Sequence, residues 1–158
     1  MAIFIFSLLV LIPDQLSKLA IKSRFDLHES LVVLGNVLHF TYIQNPGMAF
    51  GLDLGNKIFL TVFAAVASAA ILVYLYRVRR APFSHRLAFA LILGGAIGNL
   101  IDRLAYGEVI DFIEIRFGDM RWPFVFNLAD VGLTIGMSIL IWRLLFVHAE
   151  KESAPLEI

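Results

Sequence analysis

From Ile58 to Tyr76 the chain reads IFLTVFAAVASAAILVYLY, without one charged side chain. A helix that crosses the roughly 30 Å core of a bilayer needs about 20 predominantly apolar residues, and this run supplies nearly all of them. Leu87 to Ile101 is a second uncharged run, and Trp122 to Trp142 a third, broken only by Asp130. At the amino terminus, Ile3 to Ile12 is apolar apart from Ser7, and the pattern continues through Pro13, Asp14 and Gln15 to Ile21. The 158 residues are 59% hydrophobic and 16% charged, where a soluble domain carries about a quarter charged residues. That balance excludes a disordered chain and argues against a soluble enzyme.

The expected fold is therefore an all-α membrane protein. It is read as a single domain over 1–158, a four-transmembrane-helix bundle with spans at about 2–22, 57–77, 87–105 and 124–146. The first span has no basic stretch before it and no A-x-A site after it, so it is expected to be a retained helix rather than a cleaved leader. Four spans put both termini on one side. Basic residues in short connectors mark the cytoplasmic face. The overall count is nearly balanced, but Arg77, Arg79, Arg80 and Arg86 crowd the tight connector between spans two and three with no acid among them. Both termini are accordingly expected in the cytoplasm. The outer loops are then 23–56 and 107–121. Within them, residues 36–43 and 109–117 are rich in strand formers or alternate in period two, which predicts a small extracytoplasmic β-sheet.

Ionisable groups inside spans are costly, so each one is a functional candidate. Asp14, Asn99, Asp102, Arg103, Asn127 and Asp130 all fall near span ends that this topology brings to one side. At 1.5 Å per residue they lie within roughly 5–15 Å of the outer interface. Asp14, Ser17 and Lys18 share a helix face, as do Gly95, Asn99, Asp102 and Arg103, while Gly94 and Gly98 form a G-x-x-x-G pair suited to close helix contact. Asp111 lies just outside, in the strand-like segment. Each feature has a plainer reading. Asp102 and Arg103 suit an interfacial ion pair, Asn127 suits a helix cap, and Asn99 suits an interhelical hydrogen bond. Their arrival at one depth from separate stretches of chain favours a site.

The chemistry open to such a site is narrow. With no cysteine and four scattered histidines, neither a thiolate nucleophile nor a zinc site is expected. No G-x-S-x-G elbow or phosphate-cradling glycine loop occurs, and balanced charge gives no field for nucleic acid. Carboxylates remain. Two held together share a proton: the ionised one can take a proton from water while the protonated one polarises a scissile carbonyl. That reaction needs no cofactor or metal. A proton-coupled carrier is the rival, but a relay needs polar steps through the inner half of the bundle, where spans three and four offer only Thr134 and Ser138.

Five segments then carry a resemblance: Asp14–Lys18 (DQLSK), Asn45–Phe50 (NPGMAF), Gly94–Arg103 (GGAIGNLIDR), Val109–Phe112 (VIDF) and Phe126–Asp130 (FNLAD). In this order and spacing the chain strongly resembles the bacterial lipoprotein signal peptidases, signal peptidase II. The resemblance implies an aspartic endopeptidase of the inner membrane, with no cofactor and no obligate protein partner. It would cut diacylglyceryl-modified prolipoproteins just before the lipidated cysteine, from within membrane lipid, and be blocked by globomycin-type inhibitors. It assigns catalysis to Asp111 and Asp130. The residues alone do not choose Asp111 over Asp102. Asp14, Lys18, Asn45, Gly47, Asn99, Asp102, Arg103 and Asn127 match the family's supporting shell. The stretch from Asn45 to Gly55, with Gly47, Gly51 and Gly55, is expected to clamp substrate.

Overall fold

A computed structural model of the chain describes residues 2–35, 37–49, 52–53, 56–117 and 120–147. Four of its helices are long and apolar enough to cross a membrane: α1 (Phe4–Arg24), α2 (Lys57–Arg77), α3 (Phe83–Tyr106) and α4 (Leu128–Trp142), the last extended by a π-turn over Arg143–Val147. The strands are β1 (Ser30–Leu34), β2 (Leu38–Asn45), β3 (Met48–Ala49), β4 (Leu52–Asp53), β5 (Val109–Phe117) and β6 (Met120–Phe126). β1, β2, β5 and β6 form one antiparallel sheet in the order β1-β2-β5-β6, and β3 and β4 pair antiparallel as a separate two-stranded sheet.

Local chemistry sets the helix ends. The Asn56 side chain accepts from the Ile58 amide at 2.8 Å and caps α2. Pro82 precedes α3, and Gly107 ends it in the left-handed conformation at φ 76°, which glycine adopts without the Cβ penalty. α4 opens with a capping box, Asn127 and Asp130 each bonding the other's backbone amide. This cap corrects the expected start of span four. Residues 124–126 belong to β6, and the expected loop at 107–121 consists mostly of β5 and the start of its partner strand β6. Hydropathy does not separate an apolar strand from an apolar helix; the cap does. β5 matches the strand read at 109–117, and the strand read at 36–43 forms as β2, two residues later. The helix that contains span three begins at Phe83, and the helix that contains span one runs to Arg24.

α3 is the central helix. It packs against α1, α2 and α4, while α2 rests on α3. Small residues make these contacts close. A Cβ on Gly94 would lie 2.5 Å from the Ser7 carbonyl oxygen of α1, and one on Gly95 would lie 2.3 Å from the Ala129 carbonyl oxygen of α4. The outward faces stay apolar, with Ile58 73% and Leu16 62% exposed, as lipid contact requires. At one end of the bundle, Phe6 meets Phe83 edge-on at 5.8 Å, Tyr74 Oη lies 3.0 Å from His85 Nε2, and Arg143 bonds Ser84. At the other end Ile21, Tyr42, Ile110 and Phe112 form a buried cluster that seats the sheet on the helices. Buried Glu114 on β5 joins Thr41 and Arg116 within that sheet.

Candidate active site

Lys18 is the electrostatic centre of the sheet end. The residue is 1% exposed, and its ammonium lies 2.9 Å from Asp14 Oδ2, 2.8 Å from Asp102 Oδ2 and 3.0 Å from Asn99 Oδ1. Three donors meet three acceptors, so a charge that would be expensive to bury is fully coordinated. Asp14 also accepts from the Ala129 amide at 2.8 Å, where its charge faces the positive end of α4. Asp102 accepts from the Ile110 amide at 3.1 Å and so ties α3 to β5.

Above this ion cluster stand three asparagines, each oriented by a donor on its side-chain oxygen. Lys18 holds the Asn99 oxygen, and the Asn99 amide nitrogen donates to Asp130 Oδ1 at 2.8 Å. The Asp130 backbone amide holds the Asn127 oxygen at 2.9 Å, and the Asn127 nitrogen donates to Asp111 Oδ1 at 2.7 Å. The Gly47 amide holds the Asn45 oxygen at 3.0 Å, and the Asn45 nitrogen donates to Asp111 Oδ2 at 2.9 Å. Gly47 is at φ 120°, and a Cβ there would lie 2.1 Å from Leu60 Cδ1, so the residue type is set by backbone and space together. Each carboxylate is thus met by neutral donors rather than by a cation. Asp111 is 3% exposed. Burial, and then the facing charge of Asp130, push its carboxyl up to about 7 against the bonds from Asn45 and Asn127.

Asn127 links the carboxylates of Asp111 on β5 and Asp130 on α4: its side-chain nitrogen donates to Asp111 Oδ1 at 2.7 Å, and its backbone amide donates to Asp130 Oδ2 at 3.3 Å. Buried Lys18 and half-buried Arg103 are the cations set against Asp14, Asp102, Asp111 and Asp130, so negative charge is in excess even with both counted, which favours a single shared proton on the upper pair. A water between two such carboxyls has a base on one side, and a carbonyl has an acid on the other. Among the described residues, no group of three or more His, Asp or Glu is placed to hold a metal ion.

A family model for signal peptidase (SPase) II matches residues 6–146. The chain belongs to the signal peptidase II family. It is 46% identical over 157 residues to the lipoprotein signal peptidase of Moorella thermoacetica, covering 98% of this chain and 100% of that one. It is 40% identical over 148 residues to that of Syntrophus aciditrophicus, covering 90% and 91%. A bacterial membrane enzyme solved by the in meso method superposes with a TM-score of 0.85 at 30% identity, covering 99% of this chain and 94% of that one. A second gives 0.79 at 32% identity, covering 92% and 93%.

The residues matched to the signal peptidase II shell form one connected network. Asp102 and Arg103 are not the ion pair that adjacency suggested: Asp102 turns to Lys18, while Arg103 bonds the Asn99 backbone carbonyl at 3.3 Å. Asn127 caps α4 and also bonds Asp111, and Asn99 makes an interhelical bond to Asn127 and also bonds Asp130. Ser17, on the shared face with Asp14, bonds the Asp14 carbonyl at 2.8 Å and stays out of the network. Gln15 was missed. Its nitrogen reaches Asp14 Oδ2 at 3.1 Å, the Gly98 carbonyl at 3.2 Å and Asp102 Oδ1 at 3.2 Å. One residue on from Asp14, it fails the i+3, i+4 test, yet its longer side chain reaches back across α3. Phe50, Gly51 and Gly55 lie outside the described residues.

Proposed function

We propose that this chain removes signal peptides from diacylglyceryl-modified prolipoproteins, cutting just before the lipidated cysteine, and that Asp111 and Asp130 are its catalytic pair. The observation that carries the reading is the bridging of these two carboxylates by Asn127 at the sheet end of an apolar bundle. Asp102, the other candidate, is occupied by Lys18, Gln15 and the Ile110 amide, which suits a scaffold rather than a reacting group. The substrate's acyl chains lie in the bilayer against the exposed span surfaces, and its lipobox enters beneath the sheet. The Asp111–Asp130 pair holds one proton between them. It activates a water toward the scissile carbonyl, then returns the proton to the leaving amine. The two share a macroscopic titration, so neither is assigned the base alone.

The sheet end is read as extracytoplasmic and both termini as cytoplasmic, in the inner membrane. Arg77, Arg79, Arg80 and Arg86 crowd the opposite end, in line with the positive-inside rule. Globomycin-type cyclic peptides occupy the same cleft in this reading. The test uses purified protein and a diacylated prolipoprotein. Wild type cleaves it and globomycin blocks the cleavage. Asp111→Asn and Asp130→Asn each lose activity by about a thousandfold or more while remaining folded. Normal cleavage by either variant removes the proposed pair.

A further inference from the structure

α2 is the least buried of the four spans. At its end away from the sheet, Tyr76, Arg77, Arg79 and Arg80 line a recess of about 390 Å³. The Arg79 guanidinium lies over the Tyr76 ring at 5.3 Å, which holds it at the rim. All three arginines are exposed, and none has an ion-pair partner among the described residues. A second recess of about 540 Å³ meets the first at Arg77 and continues along the span over Ala69, Ala70, Val73 and Tyr74. Its lining is mostly apolar. Tyr74 is fixed as its wall by the bond to His85 and by its ring contact with Phe89 at 4.6 Å.

The two recesses differ in chemistry and share an edge. One is cationic and stands where a span ends, at headgroup depth. The other is apolar, floored by alanines, and points into the bilayer. That is the shape of a lipid: a phosphate at one end and an acyl chain at the other. We propose that this composite groove binds one anionic phospholipid, its phosphate held by Arg77, Arg79 and Arg80 and one acyl chain lying over Ala69, Ala70 and Val73. Arginine suits the role because its planar fork meets phosphate oxygens in pairs. The site is remote from Asp111 and Asp130. Occupancy joins the end of α2 to the connector that leads into α3.

Native mass spectrometry of the full-length protein released from neutral detergent tests this. The probes are phosphatidylglycerol, phosphatidylcholine, inorganic phosphate and glycerol 3-phosphate. One phosphatidylglycerol is retained per chain, about tenfold in preference to phosphatidylcholine, and neither free phosphate nor glycerol 3-phosphate displaces it. The triple variant Arg77→Gln, Arg79→Gln, Arg80→Gln weakens retention by about two orders of magnitude, roughly fivefold for each arginine. Ala70→Phe, at an exposed position, fills the acyl groove and weakens retention without removing charge. Both variants keep the lipid-free melting temperature, and if the triple variant does not, Ala70→Phe decides. Undiminished retention in the variants, equal retention of phosphatidylcholine, or displacement by free phosphate overturns the proposal. So does a lipid-free dimer that Ala70→Phe abolishes, because the occupant would then be a second copy.

Discussion

The Lys18 ammonium lies 3.0 Å from the Asn99 side-chain oxygen, which also accepts from the Asn127 side-chain nitrogen at 3.1 Å, and these contacts set which end of the amide Asp130 meets. With the oxygen taken, the nitrogen faces Asp130 at 2.8 Å. A cation two bonds away thereby helps position a carboxylate it does not touch. Lys18→Met removes an orienting donor and takes from Asp14 and Asp102 the one ammonium that contacts both. Breaking a buried ion cluster on one side costs about 3–5 kcal/mol, so this variant should melt far below wild type. Adding Asp102→Asn should recover part of the loss, since it removes one of those two charges. A double variant no more stable than Lys18→Met alone would argue against the cluster as drawn.

Asp111 gives the pH dependence a sign. Its carboxyl titrates at 3.8 in an unfolded chain and at about 7 in the folded one. Between those values the folded state holds the extra proton, so the stabilising contribution is complete below 3.8 and is lost as pH rises through about 7. The melting temperature of wild type should fall from pH 5 to pH 8, and Asp111→Asn should remove most of that slope. An equally steep slope in the variant would move the titration to another group. Cleavage should fall on the alkaline side of the same range, because a fully ionised pair has no acid for the carbonyl.

Much of this site was legible in the sequence, and the limits were physical. Depth along the spans identifies Asp14, Asn99, Asp102, Asn127 and Asp130 as one layer because the rise per helical residue is fixed. Pairing within the layer is not fixed by depth. Asp102 could be taken for a reacting group or for a partner of Arg103 until Lys18 is seen to claim it. Hydropathy carried span four back to residue 124, since an apolar strand and an apolar helix score alike. The signal that separates them was present as Asn127 and Asp130 at capping-box spacing. Gln15 escaped because facing arguments treat side chains as short.

Gln15 makes a sharper test than its position suggests. Its amide donates to two carboxylates already held by one ammonium. Gln15→Met loses neutral hydrogen bonds and should cost about 1–2 kcal/mol. Gln15→Glu is nearly isosteric but sets a third carboxylate against Asp14 and Asp102, so it should destabilise more than Gln15→Met at pH 8 and recover at pH 5. Equal melting temperatures for the two at pH 8 would show that the side chain does not face this pair.

Gly98 lets α1 and α3 meet across the ion cluster. A Cβ there would lie 2.6 Å from Asp14 Oδ2 and 3.2 Å from Ala129 Cβ. The carboxylate cannot yield without leaving the Ala129 amide or Lys18. Gly98→Ala should therefore cost about 1–3 kcal/mol, as overpacking does, despite alanine's better helix propensity. Thermal melts of the purified variant check it, and unchanged stability would mean that α1 can withdraw from α3 without loss.

The cysteine-free sequence makes orientation directly measurable. Asp26, exposed just beyond the end of α1 on the sheet side, and Arg80, exposed in the connector between α2 and α3, stand at opposite ends of the bundle. Asp26→Cys and Arg80→Cys each introduce a lone thiol away from the carboxylate pair. A membrane-impermeant maleimide added to spheroplasts should label Asp26→Cys at once and Arg80→Cys only after permeabilisation. The catalytic reading depends on this sidedness, because a translocated lipobox is presented on the outer face. The reverse pattern would put Asp111 and Asp130 on the side where that substrate is absent.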